Sequence, residues 1–285
     1  MKNKKILIAI VGVLVSVIGL VTWLIWGNTA LMVSEFEISS DKIPEGFDGY
    51  KIVQVSDLHN AEFGEENCEL LELVRRQNPD IIVITGDLID SNHTDIDVAI
   101  SFCEKAVEIA PIYYVNGNHE ARISGYDELE AAILECGVVI LNDELTTLNV
   151  GDEYITLIGV QDPDFIDYGW FDDYSSDIVD TTIKSFDLDD DSFVVLLSHR
   201  PELFDVYVNN EIDLTFTGHA HGGQIRIPFI GGLYAPNQGF FPEYDAGLYE
   251  ENDSVMLLSR GLGNSIFPLR VNNRPEVVVA VLKSA

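Results

Sequence analysis

Two histidines one residue apart, His219 and His221, follow the apolar run Leu214 to Thr217 and precede Gly222-Gly223-Gln224. Imidazole nitrogen is a common ligand for Zn, Fe and Mn, and alternation along an extended chain points both rings the same way. Two polar loop histidines would give the same local pattern, so the other histidines decide. Of the six in the chain, His59, His119, His199, His219 and His221 sit in short polar clusters that each follow an apolar, β-branched run, and only His93 does not. In order the clusters are Ser56-Asp57-Leu58-His59, Gly86-Asp87-Leu88-Ile89-Asp90, Gly117-Asn118-His119-Glu120, Ser198-His199-Arg200-Pro201 and Gly218-His219-Ala220-His221. Carboxylate, imidazole and amide together suit Mn, Fe or Zn better than Ca.

Each cluster carries its own expectation. The one-residue gap lets Asp57 and His59 point to one side of an extended segment and clasp one ion. Asp87 follows Gly86, whose freedom to turn tightly sets a carboxylate where it could bridge two ions. Two ions about 3.5 to 4 Å apart activate water and stabilise the attacking and leaving oxygens of a displacement at phosphorus. Arg200 has a planar fork that matches phosphate oxygens, but it also precedes Pro201 at a helix start, where surface pairing accounts for it equally well. Asp90 and Glu120 read as supports for the ligands or as solvent-facing acids, and His93 as a loop residue. Gly222 and Gly223 let backbone pass close to the metals, with Gln224 orienting a ligand.

The elements that must carry these clusters follow from hydrophobic periodicity. Strands over Lys51 to Val55, Ile81 to Thr85 and Ile112 to Val115 alternate with helices over Glu65 to Gln77, Ile96 to Ile109 and Tyr126 to Cys136. Such alternation predicts parallel strands with right-handed crossovers, and ligands in α/β sheets gather at the carboxyl ends of strands, where the clusters lie. Later strands over Glu153 to Val160, Phe193 to Leu197, Leu214 to Thr217, Val255 to Ser259 and Val277 to Leu282 have fewer helices between them and predict a second sheet. The acidic, aromatic stretch Asp162 to Asp191, with Phe165, Tyr168, Trp170, Phe171 and Tyr174, is expected to form helix and loop at the rim. Ile227 to Pro236 and Phe240-Phe241-Pro242 form an apolar loop after the metal histidines; core packing explains it, and so does a place near a bilayer receiving a lipid-linked phosphate.

Before this domain, Lys2, Lys4 and Lys5 precede an uncharged span of 22 residues, Ile6 to Gly27. At 1.5 Å per residue it covers a hydrocarbon core of about 30 Å. A cleavable signal has a shorter apolar region, and Trp23 and Trp26 read as interfacial anchors, so a retained single-pass signal anchor is expected. Lysines before the span and Glu35, Glu37 and Asp41 after it place the N-terminus in the cytoplasm and the rest outside the cytoplasmic membrane. The expected divisions are a basic tail over 1–5, the anchor over 6–27, a juxtamembrane linker over 28–48 and one domain over 49–285. With 47% hydrophobic content, the remaining stretch of about 250 residues suffices for a single large core. The formal charge of −32 argues against nucleic acid as a partner, because binding to phosphate backbones depends on Lys and Arg. Cys68, Cys103 and Cys136 are too few and too dispersed for a disulfide framework and read as buried small apolar residues.

With its five ordered clusters between Asp57 and His221, the chain resembles the calcineurin-like metallophosphoesterase superfamily. Gly-His-Ala-His-Gly-Gly-Gln together with the anchor is most similar to a bacterial membrane-linked branch of lipid A-pathway pyrophosphatase-like and cell-envelope phosphoesterases. The resemblance implies a four-layer α/β/β/α sandwich and two divalent ions. One ion would be held by Asp57, His59, Asp87 and His221, the other by Asp87, Asn118, His199 and His219. His119 would protonate the leaving oxygen or stabilise charge on the phosphoryl group, as an unligated histidine near metals can near neutral pH. The implied activity is hydrolysis of a phosphomonoester, phosphodiester or pyrophosphate, on a soluble, lipid-linked or cell-envelope substrate; no protein partner is inferred. Two alternatives stand beside it: a dinuclear amidase, and a non-catalytic metal-binding scaffold of the same fold.

Overall fold

The computed structural model describes residues 2–166, 174–264 and 267–285. Tyr168, Trp170 and Phe171 of the aromatic stretch lie outside the described residues. Helix α1 (Lys2–Thr29) is long and apolar enough to cross a membrane. Only Ala30 and Leu31 separate it from strand β1 (Met32–Ser40), which lies parallel to the last strand of the chain.

Residues 32–40 were expected to be juxtamembrane connection, and the strand there is a correction. Phe36 and Ile38 face inward between the exposed Glu35 and Glu37, the alternation of a charged sheet edge. The chain continues through β2 (Lys51–Val55), α2 (Cys68–Arg76), β3 (Ile81–Thr85), α3 (Ile96–Ala106), β4 (Ile112–Val115), the short α4 (Asn118–Ala121), α5 (Tyr126–Glu135) and β5 (Val139–Ile140). Helix α2 starts later than its periodicity predicts, because Glu66 and Asn67 have φ of 53° and 61° and Asn67 Oδ1 accepts from Phe63 N at 2.9 Å. Cys68, its first residue, is exposed, unlike the buried Cys103.

A second sheet is built from β6 (Glu144–Val150), β7 (Glu153–Gly159), β8 (Val194–Leu197), β9 (Leu214–Thr217), and, after the short hairpin strands β10 (Arg226–Ile227), β11 (Gly231–Gly232), β12 (Tyr234–Ala235) and β13 (Gly239–Phe240), from β14 (Gly247–Glu251) and β15 (Ser254–Leu258). Its flanking helices are α6 (Ser175–Ser185) and α7 (Phe204–Asn209). Strand β16 (Glu276–Ser284) returns to the first sheet, giving the orders β1-β16-β2-β3-β4-β5 and β14-β15-β9-β8-β7-β6.

Alternation makes the layers. Val83 of β3 and Val195 and Leu197 of β8 meet Phe216 of β9 between the sheets, while Ile82 and Ile84 turn outward to Leu70, Phe102 and Leu129 of the first helical layer. Val194 and Leu196 face the opposite way, to Val179 and Phe204. Strands buried on both faces explain why β3, β8 and β9 read as unbroken apolar runs. The result is a four-layer α/β/β/α sandwich in which β2, β3 and β4 of one sheet and β8 and β9 of the other end at a common edge.

Candidate metal centre

Both sheets deliver polar groups to that edge. Asp57 and His59 follow β2, Asp87 follows β3, Asn118 and His119 follow β4, His199 follows β8, and His219 and His221 follow β9; all are buried. Two groups of candidate ligands result. Asp57, His59, Asp87 and His221 form one, and Asp87, His199 and His219 the other, the ligand atoms within each lying within 4.8 Å of one another. Asp87 Oδ2 is common to both, 3.5 Å from His59 Nε2 and 3.2 Å from His199 Nε2. His221 Nε2 lies 3.1 Å from His59 Nε2 and 3.5 Å from Asp57 Oδ1.

The backbone that achieves this is not extended. Asp57, His59, Asp87, His219 and His221 all have φ between 46° and 68°, a left-handed region that side chains other than glycine rarely occupy. Such strain collects where function fixes a side chain. Alternation therefore does not govern either pair, and His219 and His221 point into different groups. Gly86 takes φ 85°, and a Cβ at Gly117 would lie 2.3 Å from Asp87 Oδ1, so both positions exclude larger residues.

Asn118 reveals what the second group is for. Its Oδ1 lies 3.1 Å from His199 Nε2, facing acceptors only, while its amide nitrogen faces the guanidinium donors of Arg122. Turned over, the amide would donate to His219 Nδ1 at 2.8 Å and accept from Arg122 Nη1 at 3.0 Å. A cation among these lone pairs selects the first orientation, so the donor set fits a metal ion. Tautomers agree with that. His199 Nδ1 donates to Thr85 O at 2.7 Å and His219 Nε2 meets Asn237 Oδ1 at 3.1 Å, which turns His199 Nε2 and His219 Nδ1 toward each other at 3.1 Å, with room between them for one proton or one cation.

Burial holds His59 down to about 4 and puts His219 and His221 well below the usual imidazole range, so all three are neutral. His199 differs: burial opposes its charge, but Asp87 overrides it and raises it to about 10. For Asp87 burial favours the neutral form and is outweighed by His199 and His59, which hold it well below the carboxylate range. Burial lifts Asp57 to about 6. Cations here would replace protons on ligands of this kind.

His119 stands beside the ligand groups, its ring edge-on to His59 at 4.5 Å between centroids. Ser91 N donates to its Nδ1 at 3.0 Å, which leaves Nε2 to carry the proton of the neutral ring. Glu120 faces inward and is fully buried, accepting from the backbone N–H of Asp87 at 2.9 Å and Gly117 at 2.8 Å. Asp90 lies 3.7 Å from His119 Nδ1. His93 is in the loop that follows, where its carbonyl accepts from Asn60.

Arg200 departs from both expectations. It is buried, and its fork is engaged by Asp162, Nε to Oδ2 at 2.6 Å and Nη2 to Oδ1 at 2.8 Å, with Nη1 3.4 Å from His219 Nε2. Gln224 donates to Phe267 O rather than to a candidate ligand. Gly222 and Gly223 leave space for the Asn273 amide and the backbone of Gly232, not for the metals. Asn273, which the sequence did not single out, donates to His221 O at 2.7 Å, and Arg270 Nη2 lies 3.4 Å from His221 Nδ1. The apolar loop is core only in part: Ala235 is buried, whereas Phe229, Ile230, Phe240 and Phe241 are exposed.

Comparison with known proteins adds relatives to this geometry. The family model described as calcineurin-like phosphoesterase matches residues 50–223. The uncharacterized metallophosphoesterase YkuE of Bacillus subtilis is 31% identical, over 88% of this chain and 85% of that protein. The phosphodiesterase YaeI of Escherichia coli is 25% identical over 82% of each chain. A transmembrane protein with metallophosphoesterase domain from Bos taurus is 27% identical over 89% of this chain and 57% of its own length. Among solved structures, TT1561 of Thermus thermophilus shares the fold, with a TM-score of 0.51 at 15% identity over 75% of this chain and 90% of that one.

Proposed function

The chain belongs to the calcineurin-like phosphoesterase family and is a metal-dependent hydrolase of phosphoric esters, and from that premise we propose that it cleaves a phosphate diester presented at a membrane surface. The observation that carries the hydrolase is Asp87 Oδ2 standing in two acceptor groups at once. We assign Asp57, His59, Asp87 and His221 to one ion and Asp87, Asn118, His199 and His219 to the other. Bound there, two divalent cations, Mn, Fe or Zn by their mixed O and N donors, supply Lewis acidity to the phosphoryl group and acidify a water.

The chain's own residues do the rest. Glu120 pins the backbone of Asp87 and Gly117, so that Asp87 cannot rotate away. His119 presents Nε2–H on the side away from Ser91, where it donates to a phosphoryl oxygen or protonates the leaving group. Asn237 orients His219, while Arg200, its fork held by Asp162, supports the wall beside it rather than gripping substrate.

The diester preference is supported by the name of the Escherichia coli relative, and the membrane surface by α1 and by the exposed Phe229, Ile230, Phe240 and Phe241. We place the N-terminus in the cytoplasm and the domain outside, on the lysines that precede α1. A membrane-impermeant maleimide should label the exposed Cys68 in intact cells; labelling only after lysis would reverse the topology.

The deciding experiment is hydrolysis of bis-p-nitrophenyl phosphate and p-nitrophenyl phosphate by the full chain in detergent, with Mn, Zn, Fe or chelator. Metal-dependent turnover faster on the diester is expected. Turnover that persists after metal stripping would overturn the assignment, and faster turnover of the monoester would overturn the diester preference.

A further inference from the structure

A cavity of about 230 Å³ lies where α1 meets the domain, and its two walls differ in kind. One is apolar, from Trp23, Trp26 and Met32; the other is lined by Arg260, Arg270 and Arg274. Few carboxylates answer these charges. Glu276 Oε1 is 3.7 Å from Arg260 Nε and is already taken by Ser34 Oγ at 2.5 Å.

Two donors on the cationic wall lack acceptors. Arg270 is 1% exposed; Nη1 donates to Arg260 O at 2.8 Å and Nη2 to Gly263 O, but its Nε has no hydrogen-bond partner among the described residues. Arg260 Nε is also buried without a hydrogen bond among the described residues, Glu276 Oε1 standing off at 3.7 Å. A buried donor without an acceptor destabilises the fold, so an acceptor suits this space. Arg274 closes the wall, stacked 4.7 Å over Trp26 while Nε donates to Ala30 O at 2.8 Å.

Position identifies the acceptor. Trp23, Leu24 and Trp26 belong to the end of α1, where aromatic residues mark the headgroup level of a bilayer. In a chain of net charge −32, three arginines line this one cavity. We propose that the cavity binds the phosphate of an anionic membrane phospholipid, with Arg260 and Arg270 on the phosphate oxygens and the first acyl carbons against Trp23 and Trp26. This rests on the reading of α1 as a membrane span. Arg270 Nη2 also lies 3.4 Å from His221 Nδ1, and Asn28 of α1 accepts from the Arg270 backbone N–H at 2.7 Å, so the lipid, the anchor and the metal centre share one residue.

The test uses the full chain reconstituted in phosphatidylcholine vesicles containing phosphatidylglycerol, then extracted in mild detergent for native mass spectrometry. The wild-type chain should retain one phosphatidylglycerol in preference to phosphatidylcholine. Arg260→Gln should lower that retention about five-fold, the worth of one juxtamembrane arginine. Lys105→Gln, whose ammonium pairs with Glu66 at 2.7 Å outside the cavity, should leave it unchanged. Equal retention by wild type and Arg260→Gln would overturn the inference, and so would inorganic phosphate that displaces the lipid and protects the chain equally well. Alkaline extraction separates the premises. A chain released from the vesicles would defeat the membrane span and this inference together, whereas an inserted chain without lipid preference would defeat the inference alone.

Discussion

At the candidate metal centre, acceptors crowd together; at the foot of the anchor, donors do. Asn118 Oδ1, His219 Nδ1 and Asp87 Oδ2 converge on His199 Nε2, whereas Arg260 and Arg270 each hold a buried Nε that makes no hydrogen bond among the described residues. Each arrangement is costly on its own and is relieved by a ligand of the opposite sign, because desolvated polar groups are stable only when paired. The sign of the mismatch gives the sign of the ligand: cations for the first, an anion for the second. Only a few residues separate the two, since Arg270 borders both.

The comparison breaks most visibly at Asp87. Asp87→Ala removes the one oxygen common to both groups, and hydrolysis of bis-p-nitrophenyl phosphate should fall by at least about 10³-fold, with metal content dropping below two ions per chain. Activity within about ten-fold of wild type would mean that the groups do not act as one centre. Metal removal is the next largest effect. Ions at 100 times their dissociation constant stabilise by about 2.7 kcal/mol each, so chelation should lower the thermal midpoint by several degrees. An unchanged midpoint would leave the facing lone pairs without an explanation.

Much of this centre was legible in the sequence, for a physical reason. Its residues follow strands buried on both faces, so each polar cluster breaks an apolar run, and Asp57, Asp87, Asn118, His199 and His219 are conspicuous against Val55, Thr85, Val115, Leu197 and Thr217. What escaped depends on tertiary approach. Arg270 and Asn273 sit in a loop with no motif, and they matter only because the chain returns past His221 before β16. Strand β1 escaped because its alternation is brief and its outward residues, Glu35 and Glu37, look like a linker. The paths of His219 and His221 into separate groups follow from φ of 68° and 48°, which spacing alone does not encode.

Glu120 sharpens the contrast at an intermediate level. It touches neither the groups' inner atoms nor solvent, and burial with Asp87 nearby raises its carboxyl to about 7. Glu120→Ala leaves the backbone N–H groups of Asp87 and Gly117 without their acceptor, at about 1 to 3 kcal/mol of stability. Metal affinity should fall by about 10 to 100-fold, as for other groups that orient ligands. Measured by calorimetric titration of Mn, an unchanged affinity would show that the strained turn at Asp87 holds itself.

The smallest effect is expected at the other end of the comparison, at Trp26. Its ring lies 4.7 Å from the Arg274 guanidinium carbon, and an exposed pair of this type contributes about 0.5 to 1 kcal/mol. Arg274 keeps its hydrogen bonds to Ala30 O and Leu31 O when the ring is removed, so Trp26→Ala should loosen the junction without detaching it. Amide exchange is the measurement, because it resolves local opening from global unfolding. Faster exchange is expected over the last turn of α1 and the first residues of β1, while β3 and β9, which carry Asp87 and His219, keep their protection. If β3 and β9 exchanged faster as well, the anchor and the metal centre would form one cooperative unit, and Arg270 would be the link that joins them.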